Sequence, residues 1–331
     1  MKRHHVLCAL VLCSTAGARA AGPCTDTADT LLDACRADAI DNAAVQKGVC
    51  INISRAADRD ACLDDLADAR SEDEQLCLDQ HETRLAACTV LGEARYDPDV
   101  SPSRFDDPKR PSHPNPYFPM AVGNRWELVS PTETDVVTVV DETKLIAGVR
   151  CLVFRDIVSE GGAVHEATDD WFAPGKDGSV WYFGEEVKNY ETFRGDRPMR
   201  PELVSIDGSF KAGRDGDKPG IIALAAPRVG SVYLEEFSLG NAEDVTEVLS
   251  TTYGYGRDAA LDASVPRALA DLLCRGDCLV TKNYSLLEPG LSARKYSARG
   301  IGVFLEIENT GEVVRLVSCN FDRRCASLPQ R

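Results

Sequence analysis

The hexapeptide CLVFRD at 151–156 returns as CLVTKN at 278–283. Two further echoes flank it in the same order. VGNRWEL from Val122 is matched by VGSVYLE from Val229, which sets Trp126 against Tyr233. WFAPGKDGSVWYF from Trp171 is matched by YSARGIGVFLEI from Tyr296. A single matched hexapeptide carries little weight, but three in order imply an internal duplication, about 119–186 and 227–308. The repeated unit reads as β structure. Val136, Val137, Val139 and Val140 sit among Thr and Asp, SVWYF is strongly strand-forming, and Gly161-Gly162 is a hairpin signal. One such meander is too small to bury both faces of its sheet. Two packed together are expected to form a sandwich, half-barrel or barrel. Trp126 and Tyr233 are then matched core anchors, and Cys151 and Cys278 matched strand positions facing the core. RALADLLCRGD, before the second CLV, has no counterpart in the first half and reads as a short helical insert.

The segment before the duplication differs in kind. Residues 21–92 are rich in Ala, Asp and Cys, and hold Cys24, Cys35, Cys50, Cys62, Cys77 and Cys88 at spacings of 11, 15, 12, 15 and 11. A spacing of 11 is close to three helical turns, so such a pair shares a face. Ser71-Glu72-Asp73-Glu74 fits a capping box. The expectation is three antiparallel helices, with Cys62 bonded to Cys77 across the turn that the box would start. Six prolines between Tyr96 and Pro116 mark a linker. The fold class is therefore α+β: a small disulfide-stapled helical module, then a mainly antiparallel β domain of two duplicated meanders. The expected divisions are a signal peptide at 1–20, the Cys-rich acidic helical module at 21–92, the Pro-rich linker at 93–116, the duplicated β domain at 117–318 and a C-terminal tail at 319–331.

The signal peptide is read from Lys2-Arg3, the short apolar run Val6–Cys13 and Ala18-Arg19-Ala20 before Ala21. It implies export to a periplasmic or extracellular space, with no membrane span afterwards. Removing Cys8 and Cys13 leaves 11 of the 13 cysteines, which in an oxidising compartment are expected as disulfides with one thiol over. Cys319–Cys325 and Cys274–Cys278 are the short closures expected in the β domain, and Cys151 is the expected free, buried thiol. The formal charge of −16 disfavours nucleic acid as a partner. The helical module, with 15 acidic and 6 basic residues, could meet a cation or basic protein, although a solvated face is the plainer explanation.

Motifs that carry chemistry are scarce. There is no G-x-S-x-G, no zincin motif and no phosphate loop, and the chain implies no cofactor. His81, His113 and His165 fall in three different regions, which argues against a His-rich metal site. The residues left over lie in DDWFAPGKDGSVWYFGEE. Asp170 and Glu185 are the candidate catalytic carboxylates of a hydrolase acting on carbohydrate. Asp169, Trp171, Trp181, Tyr182 and Glu186 are the candidate ligand-binding residues, because acids beside aromatic platforms hold sugars. An amphipathic hairpin with rings inward and acids outward explains the same residues without function, and is the favoured explanation. Glu243, Asp244 and Glu247 could add a cation ligand or lie on the exposed face of a short helix. The first expectation for function is an exported non-catalytic binding or structural protein. The alternatives are the carboxylate-dependent hydrolase and an apolar-ligand carrier with a pocket in the β domain.

NPYFPMAVGNRWEL, GVRCLVFRD, DWFAPGKDGSVWYFGEE, GDKPGI and AEDVTEVLS resemble motifs of a loose group of secreted bacterial proteins whose β domain opens with Asn-Pro-Tyr-Phe-Pro. The resemblance covers roughly 115–308 and implies a bacterial exported β domain, with no activity or site residues to carry over. KYSARGIGVFLEIE also resembles a turn of exported half-barrel folds of the lipoprotein-carrier type, a likeness of fold alone.

Overall fold

The Ala-rich N-terminal segment forms two helices, not three. In the computed structural model, which describes residues 22–329, α1 runs Pro23–Ile51 and α2 runs Ala56–Leu91. The signal-peptide residues lie outside the described range. Ser71 falls inside α2, because the good helix formers around it continue the helix through the capping-box sequence. The single reversal is at Asn52–Arg55. The disulfides are accordingly Cys24–Cys88, Cys35–Cys77 and Cys50–Cys62, and the expected Cys62–Cys77 bond is replaced. Cys62 and Cys77 lie on one helix, 15 residues or about 22 Å apart along its axis, far beyond disulfide reach. In each of the three bonded pairs the residue numbers have the same total, which is the register of an antiparallel hairpin.

The first half of the β domain contains β1 (Arg125–Val129), β2 (Glu133–Ile146), β3 (Val149–Glu160), β4 (Ala163–Pro174), β5 (Val180–Glu191), the short β6 (Glu202–Ser205) and β7 (Phe210–Lys211), and β8 (Lys218–Ala223). The second contains β9 (Val232–Leu234), β10 (Glu236–Phe237), β11 (Asp244–Tyr253), α3 (Ala259–Asp262), α4 (Arg267–Leu273), β12 (Cys278–Ser285), β13 (Ala293–Ala298), β14 (Gly302–Glu308) and β15 (Val313–Cys319). All pairings are antiparallel, in the order β10-β8-β5-β4-β3-β2-β1-β15-β14-β13-β12-β11-β9. β9 and β10 are consecutive pieces of one strand on either side of Glu235, so the sheet comes round to itself as a barrel.

The two halves match strand for strand. β1, β2, β3, β4, β5 and β8 correspond to β9, β11, β12, β13, β14 and β15. The first strand of each half pairs with the last strand of the other, β1 with β15 and β10 with β8. Register agrees as well. Trp126 lies opposite Val137 and Tyr233 opposite Thr246; Val153 lies opposite Trp171 and Val280 opposite Tyr296. Gly123 N donates to Val139 O, and Gly230 N donates to Val248 O, both at 2.8 Å.

Trp126 is buried, and its Nε1 donates to Ile301 O at 2.7 Å. Trp126→Ala removes both the ring packing and this bond. It is expected to cost about 3–5 kcal/mol, read as a lower denaturant midpoint at unchanged slope.

The outside of the barrel is covered differently in the two halves. The proline-rich linker lies against the first, where Phe105 packs in one cluster with Cys151, Val153, Trp171 and Phe183. Cys151 is the free cysteine among the described residues, and burial raises its thiol pKa, so it stays protonated and inert. The helical hairpin lies against the second half. Ala87 and Leu91 of α2 pack with Leu234, Val245 and Leu286. Arg84 makes a buried two-pronged ion pair with Glu243, both contacts 2.9 Å. Glu243 therefore belongs to neither an exposed helix nor a cation site; it precedes β11 and docks the hairpin. The insert is helical, as α3 and α4, and Cys274 at the end of α4 bonds Cys278 at the start of β12. Cys319–Cys325 closes the turn after β15. No helix among the described residues is long and apolar enough to cross a membrane.

Candidate functional site

Alternation along the strands decides which side chains enter the barrel. From β1 come Trp126 and Leu128, from β2 Asp135 and Val137, from β3 Phe154 and Asp156, from β4 Asp170 and Phe172. On the other side of β1 in the sheet, Val314 of β15, Glu306 of β14 and Lys295 of β13 continue the lining. Together with Phe118 they line an interior chamber of about 300 Å³.

Phe118 comes from the Asn-Pro-Tyr-Phe-Pro segment, whose local structure is set by Asn115. The buried Asn115 side chain donates to Gly178 O and Leu224 O and accepts from Tyr117 N. Tyr117 in turn donates to Asp277 O at 2.9 Å. Held this way, Phe118 sets its ring 5.3 Å from Phe154 and 4.9 Å from Phe172. Trp126 stacks on Phe154 and Phe172 on Tyr182, so one end of the chamber is an aromatic box.

The other end is polar. Asp170 and Glu185 lie directly opposite one another on β4 and β5, and Tyr182 donates a short hydrogen bond to Asp170. The favoured expectation of outward acids is thus overturned for Asp170 and Glu185, both of which turn into the barrel. The cause is a bulge in β5. Tyr182 pairs with Phe172 and Glu185 with Asp170, so β5 spends three residues where β4 spends two. The extra residue is absorbed at Gly184, whose φ is +124° and where a Cβ would lie 2.2 Å from Phe210 O. Without the bulge, Glu185 would face out and Glu186 in. The remaining candidates are on the outer face. Asp169 pairs with Arg155 at 2.8 Å and Glu186 with Lys188 at 2.7 Å. Trp171 lies under Lys144, and Trp181 donates to Ser179. Of the ligand-binding candidates, Tyr182 alone is inside.

Sequence reading missed Asp135, Asp156, Glu235, Glu236, Lys295 and Glu306. The duplication held a signal for several of them. Matched strands put Asp135 with Asp244, Asp156 with Asn283, Asp170 with Lys295, and Glu185 with Glu306. The second-half layer is more fully bonded: Glu235 accepts from Thr246 and from Asn283, the latter at 2.6 Å. In the first half, Asp135 Oδ1 and Asp156 Oδ1 are buried without a hydrogen-bond partner.

Burial dominates the electrostatics. Desolvation, then the neighbouring Asp156, pushes Asp135 up to about 10. Desolvation pushes Glu185 up to about 8, with Glu166, Asp244 and Asp156 adding repulsion. Asp170 and Glu236 are raised well above the carboxylate range by desolvation and by their acidic neighbours. Lys295 is held charged, chiefly by Glu306. These carboxyls keep protons in the folded state that the unfolded chain releases. For Glu185 the unfolded group loses its proton near 4.5 and the folded group near 8. The stability this contributes is full below about 4.5 and is lost as pH rises towards 8. The ligand-free protein is therefore expected to melt at progressively lower temperature from about pH 5 to pH 8, by up to about 1.4 kcal/mol per pH unit for each retained proton. Glu185→Gln should flatten that slope; an unchanged slope would show that Glu185 is ionised in the folded state.

A larger groove of about 680 Å³ runs between the hairpin and the barrel, walled by Leu31, Leu91, Tyr96 and Phe237 among others. Of its charged groups, Arg84 pairs with Glu243 and Lys218 with Asp97, while Arg95 lies exposed at its edge. The chamber differs in having two buried carboxyl oxygens, on Asp135 and Asp156, without a hydrogen-bond partner. No cluster of His, Cys, Asp or Glu among the described residues has metal-holding geometry. Comparison with models of known families finds no match, and neither the curated proteins nor the solved structures contain a significant match.

Proposed function

We propose that the protein is an exported, non-catalytic binding protein whose barrel interior holds one small amphipathic ligand. The observation that carries this reading is the chamber itself. It has an aromatic box at one end and buried, incompletely bonded carboxyls at the other, within the size range of small-molecule sites, about 300–1,000 Å³. Aromatic walls supply affinity and the polar end orients the ligand. This reading joins two sequence expectations, the binding protein and the carrier with a pocket in its β domain. Disulfides and the absence of a membrane-spanning helix among the described residues fit an exported protein of this kind.

The test is binding of N-phenyl-1-naphthylamine, an apolar dye that fluoresces when shielded from water. Wild-type protein is expected to bind it, and Val137→Trp, which fills the chamber, to lose at least tenfold in affinity while keeping its circular dichroism. Equal binding by the filled variant would move the ligand elsewhere and sink the proposal.

A further inference from the structure

We infer that the chamber selects a ligand with a single ammonium group on a flat apolar body, an arylalkylamine in chemical class. The inference rests on the binding-protein reading above and adds the sign of the ligand's charge.

Four carboxyls line the chamber, Asp135, Asp156, Asp170 and Glu306, against one lysine, Lys295. Lys295 lies opposite Glu306 in the β13–β14 ladder and offsets that acid, while burial keeps the protons on Asp135 and Asp170. Asp170 has the Tyr182 hydroxyl as its donor. Asp135 and Asp156 lie diagonally on neighbouring strands and share the proton that Asp135 keeps, and no other protein donor reaches either buried Oδ1. Buried carboxylates in that condition are costly unless a cation or a donor joins them. An ammonium group carries three donors and one positive charge, which suits two adjacent acids better than a neutral hydroxyl does. An anionic head would have to compete with Glu306 for Lys295 and would stand beside Asp156, which has no cation of its own.

The rest of the chamber fits the same ligand. Phe118, Trp126, Phe154 and Phe172 pack together as an aromatic wall of the chamber, with Phe118 and Phe172 meeting edge to face. Rings attract both a flat apolar body and the cation attached to it. The distribution along the strands separates the two ends: Phe154 and Asp156 are two residues apart on β3, and Phe172 and Asp170 two apart on β4. A ligand with its ring against the first residue of each pair therefore has its head beside the second, one side-chain step of about 6.6 Å along the strand.

The experiment is displacement of N-phenyl-1-naphthylamine at pH 7 by three probes of matched shape: 2-phenylethylammonium, 2-phenylethanol and phenylacetate. The ammonium is expected to displace the dye at concentrations at least tenfold below the alcohol, and phenylacetate to be the weakest. Asp156→Asn is expected to weaken the ammonium about tenfold and to leave the alcohol within twofold. Lys295→Met, which removes the competing cation, is expected to strengthen the ammonium. Alcohol binding as well as ammonium, or phenylacetate binding best, would overturn the charge assignment while leaving the chamber reading intact. Failure of all three probes and of the dye would overturn the chamber reading itself. A loss in Asp156→Asn that is equal for ammonium and alcohol would mean that the residue acts on packing alone, and would also overturn the charge assignment.

Discussion

Glu243→Gln is expected to lower the stability of the folded chain by about 3–5 kcal/mol, the range for breaking a buried ion pair from one side. Arg84 and Glu243 side chains are 6% and 4% exposed, so neither charge can turn to water when its partner is lost. The guanidinium would be left buried against an amide, with Nη1 already lacking a hydrogen-bond partner. The loss should appear first at the seam. Hydrogen exchange is expected to quicken along α2 near Arg84 and along β11, while β3 and β4 on the far side of the barrel keep their protection. The double variant Arg84→Met with Glu243→Leu removes both charges and is expected to recover most of the loss, because apolar pairs of similar volume replace buried salt bridges well. A single variant as stable as wild type would show that the hairpin is held by its apolar contacts and that the pair is dispensable.

The second large effect is expected at Gly220. The barrel closes where β8 meets β10, with Pro219 opposite Glu236 and Lys218 opposite Phe237. At the break between β9 and β10 the backbone of Glu235 passes directly over Gly220. A Cβ there would lie 2.0 Å from Glu235 O and 2.3 Å from its carbonyl carbon. Both are main-chain atoms in a paired strand, so neither can swing aside. Gly220→Ala is expected to separate β8 from β10 and to cost about 3 kcal/mol, the upper end for overpacking. Opened at this seam, the barrel would admit water to Glu235 and Glu236, and their pKa values would fall towards the ordinary carboxylate range. Gly311→Ala is the control. Its φ is +100°, whereas Gly220 has no positive φ, and no atom lies within 4 Å of the Cβ added at Gly311, so it carries backbone strain without close approach. A loss at Gly220 no larger than that at Gly311 would mean that close approach at the seam does not set the cost.

These sites differ in how far the sequence could show them. The duplication was legible because matched strands keep matched residues: Trp126 with Tyr233, Cys151 with Cys278, Trp171 with Tyr296. Chain order then implied two similar meanders, but closure was not visible. It depends on β1 pairing with β15 and β10 with β8, contacts between residues far apart in sequence. The cysteine spacings of the helical module were read as three helices because Ser71 offered a plausible start. The spacings run the same in both directions, which is what two antiparallel helices bonded rung by rung require. That symmetry outweighs a local capping signal when the flanking residues are all good helix formers.

The chamber was harder to see for a different reason. Asp169-Asp170 and Glu185-Glu186 are adjacent pairs, so one member of each must face in, and alternation alone gives the wrong answer for β5. Only the bulge at Gly184 turns Glu185 inward. Asp135 and Asp156 were passed over because acids among valines look like the solvent side of a strand. In a closed barrel both faces of the sheet are covered in places, here by the linker and the hairpin outside and by the opposite wall inside. An acid at an inward strand position then faces no bulk solvent, and its position inside is evidence for a polar cavity.

The most direct measurement is of intermolecular nuclear Overhauser effects between bound 2-phenylethylammonium and methyl-labelled protein. Contacts from the ligand ring to the methyls of Leu128, Val137 and Val314 are expected, since all three border the chamber. Contacts confined to Leu31, Leu91 and Leu234, which wall the groove between hairpin and barrel, would place the ligand outside the barrel and contradict the assignment of the chamber as the binding site.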